Sequence, residues 1–251
     1  MSNFENKVVL VTGGCGGLGL VISHTFLNAG ATVVAIDIAA EDGSEKWQSN
    51  PAARLERRKC DITDESQLGA LFKRTVDEFG HIDVVVNNAG VMDKFDPVGT
   101  LEKDVWDRVI RINLTAPYMV SKLAVQHMLE KEIKGAIVNV SSLGGIKGFV
   151  AGAAYTASKH GLNGLTQNTA AFYGKDGIRC NAVLPGGMET NIASALQHGF
   201  NQEGYQIMRE RNVKMVDKEQ VANAILYLAS NGAGAVSGVT MTVDGGWAAV
   251  N

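Results

Sequence analysis

The chain has 251 residues, a length that fits one large α/β domain or two small ones. With 45% hydrophobic and 20% charged residues, it can bury a substantial core, and it carries no low-complexity tract that would make a disordered linker. A net charge of −3 argues against nucleic acid as a partner, and the densest basic run, residues 54–59 (RLERRK), holds an acid and reads as a solvated surface segment.

In chain order, the opening MSNFENK lacks the basic-then-apolar pattern of a secretion signal, and no later stretch reaches the roughly 18 apolar residues of a membrane span. The expectation is a cytoplasmic protein with no membrane partner. Residues 7–12 (KVVLVT) form a short β-branched run ending in glycines, as in a strand buried on both faces. Residues 18–29 follow with a helical pattern closed by Gly30, then 31–37 (ATVVAID) as a second strand and 55–60 as a third. Thr63 or Asp64 signals the next helix start. A fourth strand, 82–86, ends in Asn87–Asn88–Ala89–Gly90. Two helical patterns, 101–113 and 115–131, precede a fifth strand at 135–141 and a long helix at 153–173. Strands at 178–183 and 239–243 complete a set of seven, separated by an irregular segment at 191–215 and a helix near 218–230. Strand and helix alternate without a composition break. Each parallel pairing needs a crossover, so the pattern predicts a single doubly wound α/β (Rossmann) domain over 1–251, a mostly parallel seven-stranded sheet with helices on both faces.

The three cysteines, Cys15, Cys60 and Cys180, are widely spaced and form no Cys-x-x-Cys pair, which excludes a disulfide framework and a zinc site from the reading. No metal is expected. Asn113–Leu114–Thr115 matches a glycosylation acceptor, but a chain that is never secreted would not be modified there.

The first strand delivers Thr12–Gly13–Gly14–Cys15–Gly16–Gly17–Leu18–Gly19 directly onto a helix. Glycines allow a tight turn and close approach to a pyrophosphate, and the helix start offers free N–H groups at the positive end of its dipole. A glycine cluster alone is weak evidence; at a strand-to-helix junction it has the context of a dinucleotide site. The second strand ends at Asp37, where a carboxylate can accept both hydroxyls of an adenosine ribose and repel a 2′-phosphate. Its neighbours Ile38, Ala39 and Ala40 and the glycine loop offer no basic residue. Gly13, Cys15, Gly17, Leu18, Gly19, Asp37 and Ile38 are therefore candidate cofactor contacts, and the cofactor expected is NAD rather than NADP.

Thr12-Gly-x-x-x-Gly-x-Gly19, Asn87–Asn88–Ala89–Gly90, Asn113, Ser142, Tyr155-x-x-x-Lys159 and Pro185–Gly186 stand in one order and spacing. In that set the chain resembles the short-chain dehydrogenase/reductase family, from about residue 7 to 247. The chemistry explains the combination. Free tyrosine ionises near pH 10, too high for a base at neutral pH. A lysine at i+4 shares its helix face, and a nearby cation favours the phenolate. The resemblance implies Tyr155 as general acid/base and Lys159 as the group that lowers its pKa and holds the nicotinamide ribose. It implies Ser142 as the substrate-oxygen hydrogen bonder and Asn113 as holder of a water in a proton relay. Ser141 competes with Ser142, but the 13-residue offset to Tyr155 matches at Ser142. The resemblance also implies cofactor contacts from Asp61 and Ile62 at the adenine, from Asn88, Ala89 and Gly90 along the cofactor, and from Pro185, Gly186, Met188 and Thr190 at its nicotinamide end.

Substrate choice falls to residues 143–149, Met188 and the 191–215 segment, which is read as an amphipathic lid or as a plain surface helix. Gly144, Gly145 and Gly148 leave space beside Ser142, with Ile146 and Phe149 as apolar walls. No arginine is obviously placed to clamp a carboxylate. This combination suggests a medium-sized, partly hydrophobic secondary alcohol or ketone. Relatives that reduce acyl-carrier-protein thioesters often carry Arg–Glu where this chain has Ala171–Phe172. Phe172 and Tyr173 read as interface material, and the resemblance implies a homotetramer through this helix and the preceding one, with residues 243–247 at a second contact. The function expected is an NAD-dependent oxidoreductase interconverting a secondary alcohol and a ketone by hydride transfer. The alternatives are a 3-oxoacyl-acyl-carrier-protein reductase-like enzyme and a non-catalytic NAD-sensing module. A sensor has no reason to keep Asn113, Ser142, Tyr155 and Lys159 together.

Overall fold

In the computed structural model, which describes residues 4–49, 53–188 and 199–250, the chain opens with β1 (Val8–Thr12), α1 (Gly17–Asn28), β2 (Thr32–Asp37), β3 (Gly43–Lys46), β4 (Arg54–Lys59) and α2 (Glu65–Phe79). It continues through β5 (Val84–Asn87), α3 (Lys103–Ile110), a π-helical turn (Arg111–Thr115), α4 (Ala116–Glu130), β6 (Ala136–Val140) and α5 (Ala153–Tyr173). The last elements are β7 (Arg179–Pro185), α6 (Gln202–Glu210), α7 (Lys218–Ala229) and β8 (Thr240–Val243).

One sheet takes in all these strands in the order β3-β4-β2-β1-β5-β6-β7-β8. Every pairing is parallel except β3 against β4. The eighth strand is the difference from the seven expected. β3 (GSEK) has no apolar face to bury, and it exists because the edge of β4 leaves backbone groups to pair. Its antiparallel partner also brings Glu45 to Arg57 (3.2 Å). The other strands follow from their composition. β1, β5 and β6 are buried along their full length, and alternate side chains feed two separate cores. Val9, Val11, Val33 and Val86 pack against Ile22 and Phe26 of α1 and Val221 and Ile225 of α7. Leu10, Val34, Ile36 and Val85 pack on the opposite face against Leu68 and Phe72 of α2 and Val120 and Met128 of α4.

The helix ends obey local chemistry. Asp64 caps α2, accepting the N–H groups of Ser66 (2.9 Å) and Gln67 (3.1 Å), and Gly80 ends it at φ +82°. The two helical patterns separated at residue 114 in the sequence join through the π-helical turn. The part of 191–215 that the structure describes holds a helix, α6, within a segment the sequence left open between irregular chain, lid and surface helix; residues 191–198 lie outside the described residues. Among the described residues, no helix is long and apolar enough to cross a membrane.

Strand order reverses between β1 and β5, one branch running outward through β2 and the other through β6. In such sheets the crevice at the carboxyl ends of the strands, at this switch point, is where ligands bind. Thr12 and Asn88 stand there.

Candidate active site

The two strand ends at the switch point are tied together by side chains. Thr12 Oγ1 accepts the backbone N–H groups of Asn88 and Ala89 at 3.0 Å each, and the Asn88 amide donates to the Thr12 carbonyl (2.9 Å). Gly13 turns the chain at φ +63°. A Cβ on Gly19 would stand 1.9 Å from the Gly13 carbonyl oxygen, so α1 packs this closely on the turn only with glycine there. A Cβ on Gly16, by contrast, would meet nothing within 4 Å. α1 begins at that open face with no side-chain cap and no acidic residue in its first turn. Its leading N–H groups and dipole thus favour an anion.

A cleft of about 1020 Å³ is lined by this helix start, by Asp37, by Tyr155 and Lys159, and by residues of α6. Of the candidate cofactor contacts, Gly13, Gly17, Leu18, Asp37, Asn88, Ala89, Gly90, Tyr155, Lys159, Pro185, Gly186 and Met188 line it. Cys15, Gly19, Ile38, Asp61 and Ile62 are off the lining, and Thr190 lies outside the described residues. These residues have surroundings of their own. Cys15 packs on the core with its thiol toward the Ala35 carbonyl (3.9 Å), and Ile38 is exposed. Asp61 accepts the N–H (2.9 Å) and hydroxyl (2.8 Å) of Thr63 at the turn into α2, and Ile62 is buried beneath that turn. At the Asp37 end, one carboxylate oxygen accepts the Ala39 N–H at 3.0 Å.

The reactive end is built on α5. Tyr155 and Lys159, one turn apart, are both buried, with Lys159 Nζ 5.6 Å from the Tyr155 ring centroid. Nζ donates to the Val140 carbonyl at the end of β6 (2.8 Å). Burial disfavours charge on both groups. It pushes the Tyr155 phenol up to about 12, with the Ser142 hydroxyl pulling down and Asp93 pushing further up. Burial also brings the Lys159 ammonium down to about 8. The two adjacent serines part company. Ser141 donates to the Lys159 carbonyl (3.4 Å), whereas Ser142 Oγ accepts the Gly144 N–H (3.0 Å) and is the serine beside the phenol.

Asn113 sits inside the π-helical turn, fully buried and off the cleft lining. Its amide brackets Val91, accepting the N–H (2.8 Å) and donating to the carbonyl (2.9 Å), and it also donates to Ser158 Oγ (3.2 Å). A Cβ on Gly90 would come 3.3 Å from Asn113 Oδ1 and 3.7 Å from Lys159 Nζ, so the chain at Gly90 passes close to both. π-Helical turns of this kind are frequent at functional sites.

The substrate half departs from expectation. Ile146 and Phe149 are off the lining; Phe149 packs on Trp247 and under Arg211 instead. The apolar walls come from Met92, Leu143, Val150, Met188, Met208 and Met215. Gly144 and Gly145 serve close packing, since a Cβ on either would press on the Tyr155 ring (3.3 Å) or the Asn163 amide (2.6 Å); only Gly148 faces open space. Two arginines also reach the cleft, Arg108 from α3, bonded to the Met92 carbonyl (3.2 Å), and Arg209 from α6. Sequence reading missed both, and with them Arg57 and Asp93. Arg57 reaches the neighbourhood of Cys15 because β4 pairs with β2 in the register Ala35↔Arg57, which no local pattern announces.

The cleft sets the uncapped start of α1 and the Asp37 carboxylate at one end and a phenol, an ammonium and a hydroxyl at the other. That trio can pass a proton to or from a bound oxygen. Among the described residues, no group of three or more His, Cys, Asp or Glu side chains is arranged to hold a metal ion.

Comparison with known proteins agrees with this geometry. A family model described as enoyl-(acyl carrier protein) reductase matches residues 14–248. A short chain dehydrogenase/reductase of Colletotrichum higginsianum is 46% identical, over 99% of this chain and 96% of its own. A 3beta-hydroxysteroid dehydrogenase of Eggerthella lenta is 35% identical, over 97% and 95% respectively. The crystal structure of levodione reductase superposes with a TM-score of 0.88 at 29% identity, covering 99% of this chain and all of that one. On fold, cleft and relatives alike, the chain belongs to the short-chain dehydrogenase/reductase family of oxidoreductases.

Proposed function

We propose that the protein is an NAD-dependent dehydrogenase that interconverts a secondary alcohol and a ketone, with Tyr155 as the general acid/base. The observation that carries this reading is the pairing of buried Tyr155 and Lys159 beside Ser142, in the same cleft as the uncapped start of α1 and Asp37. The family uses nicotinamide cofactors, and the residues present fit one. The α1 start would hold the pyrophosphate, Asp37 the adenosine ribose hydroxyls, and Lys159 the second ribose. When bound, the cofactor supplies the hydride acceptor or donor.

The chain's own residues do the rest. Ser142 donates a hydrogen bond to the substrate oxygen and holds it against the phenol. In oxidation Tyr155 takes the hydroxyl proton, so its phenolate must be accessible. Burial opposes this, and a protonated Lys159 one helical turn away, with the positive charge of an oxidised nicotinamide, would offset the opposition. Asn113, close to the Gly90 backbone and Lys159, would pass the proton onward through water. The apolar walls accept a hydrophobic substrate, in keeping with the hydroxysteroid named for one relative.

Asp37 supports NAD over NADP. The fold brings both Asp37 and the basic side chain of Arg57 within electrostatic reach of Cys15, but that guanidinium is paired to Glu45. The reading is tested by following reduced-cofactor absorbance with a panel of cyclic and acyclic secondary alcohols, hydroxysteroids and 3-hydroxyacyl thioesters, with NAD and NADP in parallel. Turnover with NAD on a secondary alcohol is expected. Turnover confined to thioesters and NADP would favour the acyl-carrier-protein alternative.

A further inference from the structure

α5 carries both reactive residues, yet it starts without a cap of its own. Gly152 stands at the N-cap position and has no side chain to offer. The leading N–H groups of any helix need partners, and here they come from the loop after β5. Asp93 Oδ1 accepts the Gly152 N–H (3.0 Å), Oδ2 accepts the Tyr155 N–H (2.8 Å), and the Asp96 carbonyl accepts the Ala153 N–H (2.9 Å). The carboxylate is fully buried. It fills the space a Cβ on Gly152 would need, 2.6 Å away, which accounts for glycine there. Oδ1 also accepts the Phe95 N–H (3.1 Å), next to a phenylalanine held at φ +61°. That ring packs on Tyr205 of α6 at 5.4 Å between centroids, and the Asn201 N–H donates to the Lys94 carbonyl (2.8 Å). A single buried carboxylate therefore joins the cofactor-side loop, the catalytic helix and the footing of α6.

We propose that Asp93 is a positioning residue for Tyr155: it fixes the first turn of α5 and sets, by its buried negative charge, the pH at which the phenol ionises. This inference rests on Tyr155 being the acid/base. Burial raises the Asp93 pKa above the usual carboxylate value, opposed by the N–H groups of Tyr155, Phe95 and Gly152. With all three bonds accepted from N–H donors, the site is built for the anion, and an anion near a phenol disfavours the phenolate. Its effect on Tyr155 runs in that direction. Among the described residues, the elements around the phenol carry further polar and charged groups, including Tyr205 of α6 in the cleft lining. Lys159 lies on α5 itself and Ser142 follows β6. Asp96 lies near Asp93. α3 presents Val105 and Val109, with Asp104 bonded to its own helix start, Arg108 bonded to the Met92 carbonyl, and Lys103 paired with Asp107 on the outer side. α6 contributes Arg209 to the same cleft.

The test compares wild type, Asp93→Asn and Asp93→Glu by the pH dependence of kcat/KM for alcohol oxidation, with NAD affinity measured alongside. Removing the charge moves the limb governed by Tyr155 to lower pH by about half a unit or more, with a loss in kcat of about tenfold from misplacement. Asp93→Glu keeps the charge, loses rate and leaves the limb in place. Should Asp93→Asn fail to bind NAD or to melt cooperatively, Asp93→Ser, which keeps a hydroxyl acceptor without charge, takes its place with the same expected shift. A reduced rate with an unmoved limb in the uncharged variants would make Asp93 a plain helix cap and overturn the proposal, as would wild-type behaviour in both. Tyr155→Phe, run in parallel, separates the two readings: activity surviving there overturns the acid/base assignment itself.

Discussion

Lys159 shows at the scale of one residue how the proposed function is set against stability. Its ammonium is buried, makes one hydrogen bond to the Val140 carbonyl and is held down to about 8 by desolvation alone. Because the folded value lies below the unfolded one near 10.4, the unfolded chain binds the proton more tightly between these limits, and stability rises with pH across that window. Replacing the lysine by methionine removes the penalty. Lys159→Met is expected to stabilise the cofactor-free protein by about 1 kcal/mol, seen as a raised Tm at neutral pH, and to abolish turnover; a lowered Tm would contradict this. At the other end of the cleft, Asp37→Ser removes the carboxylate that repels a 2′-phosphate. It is expected to shift the NAD/NADP ratio of kcat/KM toward NADP by about tenfold or more. An unchanged ratio would remove Asp37 from cofactor selection.

Elements show why some of the protein was legible in its sequence and some was not. The buried strands were legible because their β-branched runs leave no solvent face, and α5 was legible by its length and its Tyr155–Lys159 spacing. β3 was not, since a polar four-residue edge strand is made by its partner and not by its own composition. The π-helical turn that buries Asn113 was hidden for a related reason: an asparagine in a helical pattern looks exposed until the chain at Val91 arrives to bond its amide. Asp93 and Arg57 carry no local signal at all, because what matters about them is a neighbour many residues away. The helix α4 supplies a testable case. His127 Nε2 accepts the Ile82 N–H (3.1 Å), which requires the neutral ring, and burial holds its pKa below the usual value. A depressed histidine pKa means that the unfolded chain takes up the proton first as pH falls. Stability from this contact is therefore present above about pH 6.5 and lost on acidification below it. Denaturant midpoints across that range should fall with pH in the wild type and fall less steeply in His127→Gln; equal slopes would exclude the histidine as a cause.

For the whole molecule, the sheet runs without interruption from the first described strand to the last, and we propose that the chain folds as one cooperative unit. The outer faces of α4 and α5 carry Tyr118, Leu129 and Phe172, all exposed, while Tyr173 packs inward on the core. Exposed aromatic side chains on neighbouring helices suit an interface between copies, and a homotetramer is the expected state. Sedimentation velocity would show one species of four-chain mass, and a sharp monomer boundary would contradict it. The segment 244–249 is tied down locally and to the end of α6: Asp244 accepts the N–H groups of Gly246 (2.9 Å) and Ala248 (2.8 Å), and the Trp247 indole donates to the Arg211 carbonyl (2.9 Å). Strand ends of the sheet and residues of α6 line one cleft with Tyr155, and the account depends most on that one hydroxyl. The decisive measurement is Tyr155→Phe against wild type, with NAD affinity and alcohol oxidation determined on the same preparations. Loss of the acid/base predicts NAD binding within about twofold of wild type and turnover reduced by about 10²–10⁴. Undiminished turnover with binding intact would show that proton transfer runs through another group.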